Sequence, residues 1–286
     1  MEDIKIGIIG GSGIYDIEGV ENVETVEIDT PFGKPSDKII VGVLKGVKFA
    51  FLPRHGRGHK ISPSELNFRA NIYAFKKLGV EKVLSISAVG SLKEELKPRD
   101  FVIPDQLFDR TKNRASTFFS DGIVAHVGFA EPFCPEFSKI AYETAKQIGI
   151  NVHKGGTYIC MEGPQFSTKA ESSVYRGLGF SIVGMTALPE AKLAREAEMC
   201  YVTVALVTDY DCWKEDEEVS VEKILANLSV NSDNAKKFIK TILPKLAETS
   251  VCSCQSALAM SIVTSADAIP KETLKKVKLL VGKYIK

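Results

Sequence analysis

Tyr201-Val202-Thr203-Val204-Ala205-Leu206-Val207 runs without a break into Thr208-Asp209-Tyr210-Asp211. The first seven residues are β-branched, aromatic or apolar, which predicts a strand. Two carboxylates then close a strongly apolar run, where packing alone has no use for them. Their competing roles are a helix cap or a solvated surface. The same grammar recurs on either side. Residues 4–9 read as a buried strand that ends in Gly10-Gly11-Ser12-Gly13. Residues 39–44 and 47–52 read as a hairpin across Lys45-Gly46, and the second arm runs into Pro53-Arg54-His55-Gly56-Arg57-Gly58-His59. Residues 83–87 lead to Ala88-Val89-Gly90-Ser91, residues 157–161 to Glu162-Gly163-Pro164-Gln165-Phe166-Ser167, and residues 181–185 to Thr186.

Helical patterns lie between these strands, which is the signature of an α/β domain. Ser62-Pro63-Ser64-Glu65 reads as a capping box with Pro at the first helical position, opening a helix that runs to Leu78 with Gly79 as its stop. Further helices are expected over 135–148, 168–178, 189–199 and 221–246, and a Lys-rich, exposed one from Pro270. A short strand is expected over 101–103. Residues 108–132 are irregular, and a connection that long in a compact domain is usually functional. The connections are too irregular for a simple doubly wound sheet, so the sheet is expected to be mixed. With no linker, repeat or low-complexity block, the chain reads as one domain over 1–286, with a helical tail from about 250.

The chain has 286 residues, and its 37 Lys+Arg against 36 Asp+Glu leave a net charge of +1. That balance excludes a nucleic-acid or membrane binder that works through bulk charge. Apolar runs are too short to span a bilayer. The start, Met-Glu-Asp-Ile-Lys, fits no signal peptide, so a cytoplasmic location is expected. Sparse Asn and Gln with abundant Lys and Glu lean toward a thermophile. The six cysteines are Cys134, Cys160, Cys200, Cys212, Cys252 and Cys254. None forms a C-x-x-C pair and no His/Cys cluster has zinc-finger spacing, so no metal site is expected. Cys252-Ser253-Cys254 stands apart. Reduced buried thiols and at least one disulfide, of the kind found inside hyperthermophiles, both stay open.

The strand ends carry the chemistry. A Gly-rich turn after a strand exposes N–H groups to an anion. Residues 7–13 are nevertheless neither a G-x-G-x-x-G nor a Walker A loop, since Asp16 replaces the third Gly and no G-K-[ST] follows. Arg54 offers a planar fork suited to phosphate, and His55 and His59 add donors that can be charged or neutral. Ser87 and Ala88 suit an anion as well, and Phe166 offers a stacking face. Ligand sites in α/β sheets gather at strand ends. Phosphate donors together with an aspartate therefore point to a phosphate-using enzyme acting on a neutral, flat ligand.

Gly10-Gly11-Ser12-Gly13, Arg54-His55-Gly56, Ser87-Ala88-Val89-Gly90-Ser91, Met161-Glu162-Gly163-Pro164-Gln165-Phe166 and Gly184-Met185-Thr186 together resemble the trimeric purine nucleoside phosphorylases. Asp29-Thr30-Pro31-Phe32-Gly33-Lys34-Pro35-Ser36-Asp37, Ala130-Glu131-Pro132-Phe133-Cys134-Pro135 and Thr208-Asp209-Tyr210-Asp211-Cys212-Trp213-Lys214 resemble the methylthioadenosine phosphorylase branch in particular. The resemblance runs from about Ile4 to Pro244 and leaves the tail uncovered. It implies the nucleoside phosphorylase fold, a mixed and partly barrel-like sheet flanked by helices. It implies phosphorolysis of 5′-methylthioadenosine to adenine and 5-methylthioribose 1-phosphate, through an oxocarbenium-like state, with inorganic phosphate as co-substrate and no cofactor.

By the same resemblance Ser12, Arg54, His55, Ser87, Ala88 and Thr186 hold phosphate, and Asp209 is the catalytic acid. Met185, Asp211, Phe166, Ser167, Val221, Ile224 and His59 contact the nucleoside. His126 reaches the pocket of a neighbouring subunit, so a homo-oligomer, trimer or dimer of trimers, is implied. Relatives that take 6-oxopurines carry Asn at the position of Asp209 and Glu at that of Ser167, which favours adenine here. Gly184 replaces the Asn of some relatives. Two other readings compete: a broader purine nucleoside phosphorylase acting on adenosine, inosine or guanosine, and a non-catalytic nucleotide-binding module, which would have no need of a leaving-group acid.

Overall fold

The structure is a computed structural model that describes residues 4–11, 17–214, 221–249 and 252–285. The strands are β1 (Ile6–Gly10), β2 (Glu21–Val26), β3 (Ile39–Leu44), β4 (Val47–Pro53), β5 (Lys82–Ser91), β6 (Phe101–Ile103), β7 (Gln106–Arg110), β8 (Val152–Lys154), β9 (Thr157–Met161), β10 (Ile182–Gly184) and β11 (Cys200–Asp209). The helices are α1 (Phe68–Lys77), α2 (Pro135–Gln147), α3 (Lys169–Gly177), α4 (Ala187–Glu196), α5 (Val221–Ala247) and α6 (Lys271–Val281). All the expected strands are present. The edge strands β2, β7 and β8 are additional, short and largely exposed, so their patterns carry little signal.

β1 lies between β4 and β5, parallel to both. Its five residues are all buried, as befits a strand covered on both faces. Ile6 and Ile8 pack toward α2 and α5 with Phe238, and Ile9 packs toward α1 and α4 with Phe75 and Leu193. β5 is where the sheet divides. Its first part pairs β1 on one edge and β11 on the other, while its last residues Gly90 and Ser91 pair antiparallel with β10. One arm continues through β10, β9 and β7, the other through β11, β6 and β8. The expected mixed sheet is therefore observed. Among the described strands the sheet branches and does not close. The fork leaves a gap between the two arms.

Three local expectations change. The capping box at Ser62 closes only the turn Pro63–Glu65, and the helix restarts at Phe68, capped by the Asn67 side chain on the Ala70 N–H. Leu66 lies between them in an extended conformation, which breaks the continuity that periodicity suggested. Residues 88–91 continue β5 beyond the strand end expected at Ser87. The Lys-rich tail helix α6 is half-buried: Thr273, Val277, Leu280 and Val281 pack inward, the last three joining the core around Phe118. Among the described residues no helix is long and apolar enough to cross a membrane.

Candidate active site

Where the two arms of the sheet part, a cleft of about 470 Å³ opens. Gly11, Arg54, His55, His59, Ser87, Ala88, Phe166, Ser167, Met185, Thr186, Asp209, Asp211 and Ile224 all border it. Most of the residues read from sequence thus come together from β1, β4, β5, β10, β11 and α5. Two do not, and Ser12 lies outside the described residues. Val221 opens α5 but is 64% exposed and does not border the cleft. Helical geometry gives the wall instead to Ile224, Leu225 and Leu228, one turn further on. His126 is exposed and outside the cleft, its backbone N–H bonded to Ser261 O at 2.8 Å.

One end of the cleft is hydroxylic. Ser87 Oγ and Thr186 Oγ1 are 3.0 Å apart. Ala88 is exposed in a strand whose neighbours are buried, so it opens onto the cleft. His55 Nδ1 lies 2.8 Å from Ile61 O, which can only accept, so Nδ1 carries the proton. Burial, with Arg54 beside it, pushes the His55 pKa down to about 4. The ring is neutral near pH 7 and presents Nε2 as an acceptor, stacked on His59 at 4.3 Å between centroids.

Arg54 differs from its sequence reading. It is buried, and its fork is already engaged: Nε donates to Glu190 Oε1 at 2.9 Å, Nη1 to Ile86 O at 2.8 Å, and Nη2 to Ser85 Oγ at 2.7 Å and Glu190 Oε2 at 3.2 Å. Glu190 also accepts from Ser85 Oγ and from Tyr201 OH, both at 2.9 Å. The guanidinium thus offers an anion little beyond one remaining Nη1 hydrogen, and its charge is matched by a buried carboxylate. Sequence reasoning missed Glu190, which sits inside a helix with no local sign of a partner on β4.

At the other end stand the carboxyls. β11 slips register against β5 between Val207 and Asp209, placing Thr208 as an extra residue. Such a bulge re-aims the next side chain. Asp209 accepts from Thr208 Oγ1 at 2.6 Å and from the Asp211 N–H at 2.8 Å. Burial raises its pKa despite these two bonds. Asp211 is buried and also shifted up by burial, with the Ser172 and Ser167 hydroxyls facing its carboxyl, and holds φ at +53°; among the described residues its Oδ2 has no close hydrogen-bond partner. A buried carboxyl bordering the cleft can serve a ligand as acceptor or, when neutral, as donor. α5 is docked against this end by Asn227 and Asn231, which donate to Thr208 O and Val207 O.

The turns between the two ends are held by Arg114, which the sequence reading also passed over. From the irregular segment it donates to Met185 O and Leu188 O at 2.7 Å, to Glu162 O at 2.6 Å and to Glu162 Oε2 at 3.0 Å. Gly184 has a steric reason as well: a Cβ there would lie 2.0 Å from Tyr158 Oη.

A cleft with hydroxyls and a neutral His at one end, buried carboxyls at the other and an apolar wall between them suits transfer between an oxyanion and a base. The chain belongs to the phosphorylase superfamily, whose family model matches residues 5–244. It is 57% identical over 281 residues to the S-methyl-5′-thioadenosine phosphorylase of Koribacter versatilis, covering 98% of this chain and 96% of that one. A methylthioadenosine phosphorylase sourced from an Antarctic soil metagenomic library superposes with a TM-score of 0.94 at 49% identity, over 98% of this chain and 99% of the other. A variant adenosine/methylthioadenosine phosphorylase of Schistosoma mansoni, solved with methylthioadenosine, matches with a TM-score of 0.84 at 36% identity over 90% and 96% of the two chains. Within the superfamily the chain falls in the methylthioadenosine phosphorylase branch, and the likeness extends through the tail that the sequence motifs left uncovered.

Proposed function

We propose that the chain catalyses phosphorolysis of 5′-methylthioadenosine, giving adenine and 5-methylthioribose 1-phosphate. The observation that carries this reading is the two-ended cleft, with Ser87, Thr186 and His55 at one end and Asp209 and Asp211 at the other. Phosphate sits among the hydroxyls and the Ala88 backbone, and can donate its own P–OH hydrogen to His55 Nε2. A phosphate oxygen attacks the anomeric carbon as the bond to N9 breaks, and the glycosidic electron pair passes to the purine. Asp209, held toward its neutral form by burial, delivers a proton to N7 while its other oxygen accepts from the exocyclic amine. Met185 underlies the ribose, Phe166 and Ser167 flank the base, and Ile224 with Leu225 and Leu228 takes the methylthio group. Positioning and charge stabilisation supply the rate, with inorganic phosphate the only co-reactant and no cofactor in the step.

The protein is further read as a cytoplasmic homo-oligomer, trimer or dimer of trimers, in which His126 serves a neighbouring cleft. In support, the exposed Val124, Met260 and Val263 lie on the segments joined by the Ala125–Ile262 bridge, beside His126. An exposed apolar ribbon of this kind suits a subunit contact. The deciding assay measures free base from methylthioadenosine, adenosine and inosine, with and without phosphate. Base release that needs phosphate and is fastest with methylthioadenosine is expected, and release without phosphate would overturn the reading. A fully active monomer in sedimentation would remove the role given to His126.

A further inference from the structure

Four of the six cysteines meet at the far end of β11 from the cleft. Cys200 opens that strand and Asp209 closes it, which puts the two sites roughly 30 Å apart. Cys134 caps the N-terminus of α2, and Cys252 and Cys254 come from the turn after α5. All four are buried thiols, and their sulfurs lie within 4.8 Å of one another, with Cys134 Sγ and Cys252 Sγ 3.6 Å apart.

We propose that Cys134, Cys200, Cys252 and Cys254 form a tetrathiolate site for a structural zinc-class ion, which fastens the tail to the body of the domain. A tetrahedral ion with metal–sulfur bonds of about 2.3 Å sets its sulfurs about 3.8 Å apart. Every edge of the cluster is within 4.8 Å, and the Cys134–Cys252 edge is 3.6 Å. A pair of disulfides asks only two edges to be short and leaves the other four free. Four protein ligands also close the coordination shell, as a structural ion requires and a catalytic one does not.

The surroundings suit the charge such a site carries. The Phe137 N–H, in the first turn of α2, points at Cys134 Sγ, and the Arg195 guanidinium lies toward Cys254. On binding, four metal–sulfur bonds form, the thiol protons pass to solvent, and no electrons are exchanged. The ligands come from three segments far apart in sequence, so no spacing rule applied to the chain can find them.

The test is elemental analysis of the intact chain, produced with zinc in the medium and desalted, beside thiol titration and intact mass under non-reducing conditions. About one zinc per chain is expected, falling below about a tenth in Cys254→Ser and unchanged in Cys212→Ser, which lies outside the cluster. If Cys254→Ser fails to fold, the unaltered chain decides. Thiol-selective mercurials should release the zinc stoichiometrically, and cobalt refilled under anaerobic reduction should give the visible absorption of a tetrahedral tetrathiolate. A chain with disulfides, two mass units lighter per bond and without metal, would overturn the proposal. So would six free thiols that take up neither zinc nor cobalt.

Discussion

In the proposed reaction Asp209 is the side chain that selects the base. As the neutral acid it offers one donor and one acceptor, matching N7 and the amine of adenine, whereas a 6-oxopurine presents acceptors at both points. A mismatch strands a buried polar group, and sites of this kind discriminate by roughly 10⁴-fold. Asp209→Asn is expected to lower the ratio of kcat/KM for methylthioadenosine over inosine. The switch should be partial, because Ser167 stands where Glu assists such bases in relatives. An unchanged ratio would remove Asp209 as the selector. Arg54 makes the opposite point. Its pairing with Glu190 inside the sheet means that Arg54→Ala leaves a buried carboxylate unmatched, at a cost of about 3–5 kcal/mol. Chemical denaturation should show that loss in the free enzyme, and Arg54→Met with Glu190→Gln should recover much of it. A variant that loses phosphate use but no stability would return Arg54 to a purely anion-binding role.

Among the elements, the irregular segment after β7 acts as a brace for the cleft. Arg114 ties the turn after β9 to the turn after β10, and Thr117 with the Phe118 N–H holds Glu196 at the end of α4. Arg114→Lys keeps the charge but loses the planar fork that spans three carbonyls. Met185 and Gly163 should then drift, and KM for the nucleoside is expected to rise about tenfold, with phosphate dependence altered less. Steady-state kinetics varying each substrate in turn would separate the two effects. Equal losses toward both substrates would make Arg114 a general stability residue. Low temperature factors in a crystal of the variant, with Met185 in place, would contradict the bracing role outright.

At the scale of the whole molecule, two buried groups set opposite pH trends in stability. Burial drives Glu196 up to about 7, from 4.5. Its contribution is full below pH 4.5 and is lost as pH rises toward 7, because the folded chain holds a proton the unfolded chain releases. His55, down to about 4 from 6.5, behaves in reverse: the unfolded chain gains the proton first, so stability is lost as pH falls from 6.5 to 4. Each shift is worth roughly 3 kcal/mol, and over the shared range they offset one another. Relative to the unaltered protein, Glu196→Gln should therefore gain stability as pH rises from 4.5 to 7, and His55→Asn should gain as pH falls from 6.5 to 4. Denaturation midpoints across that range check both, and parallel profiles for all three proteins would refute the assignment.

The local code of this chain is strong where backbone chemistry is local. The apolar runs of β1, β5 and β11, the helix α3 from Thr168, and the strand-end motifs with Arg54-His55, Ser87-Ala88 and Asp209 could all be read directly. Burial on both faces leaves a continuous hydrophobic record, and special turns demand special residues. What the sequence could not supply depends on atoms far apart in the chain. Glu190 reaches Arg54 across 136 residues, Arg114 reaches Met185 across 71, and the four cysteines gather from three segments. Nor does any pattern announce the bulge at Thr208 or the fork in β5, since both follow from competition between neighbouring strands for the same backbone groups. Residue identity fixed which chemistry the strand ends could offer. Only the divided sheet decided that those ends would face one cleft, because that geometry is a property of strand pairing and not of any strand alone.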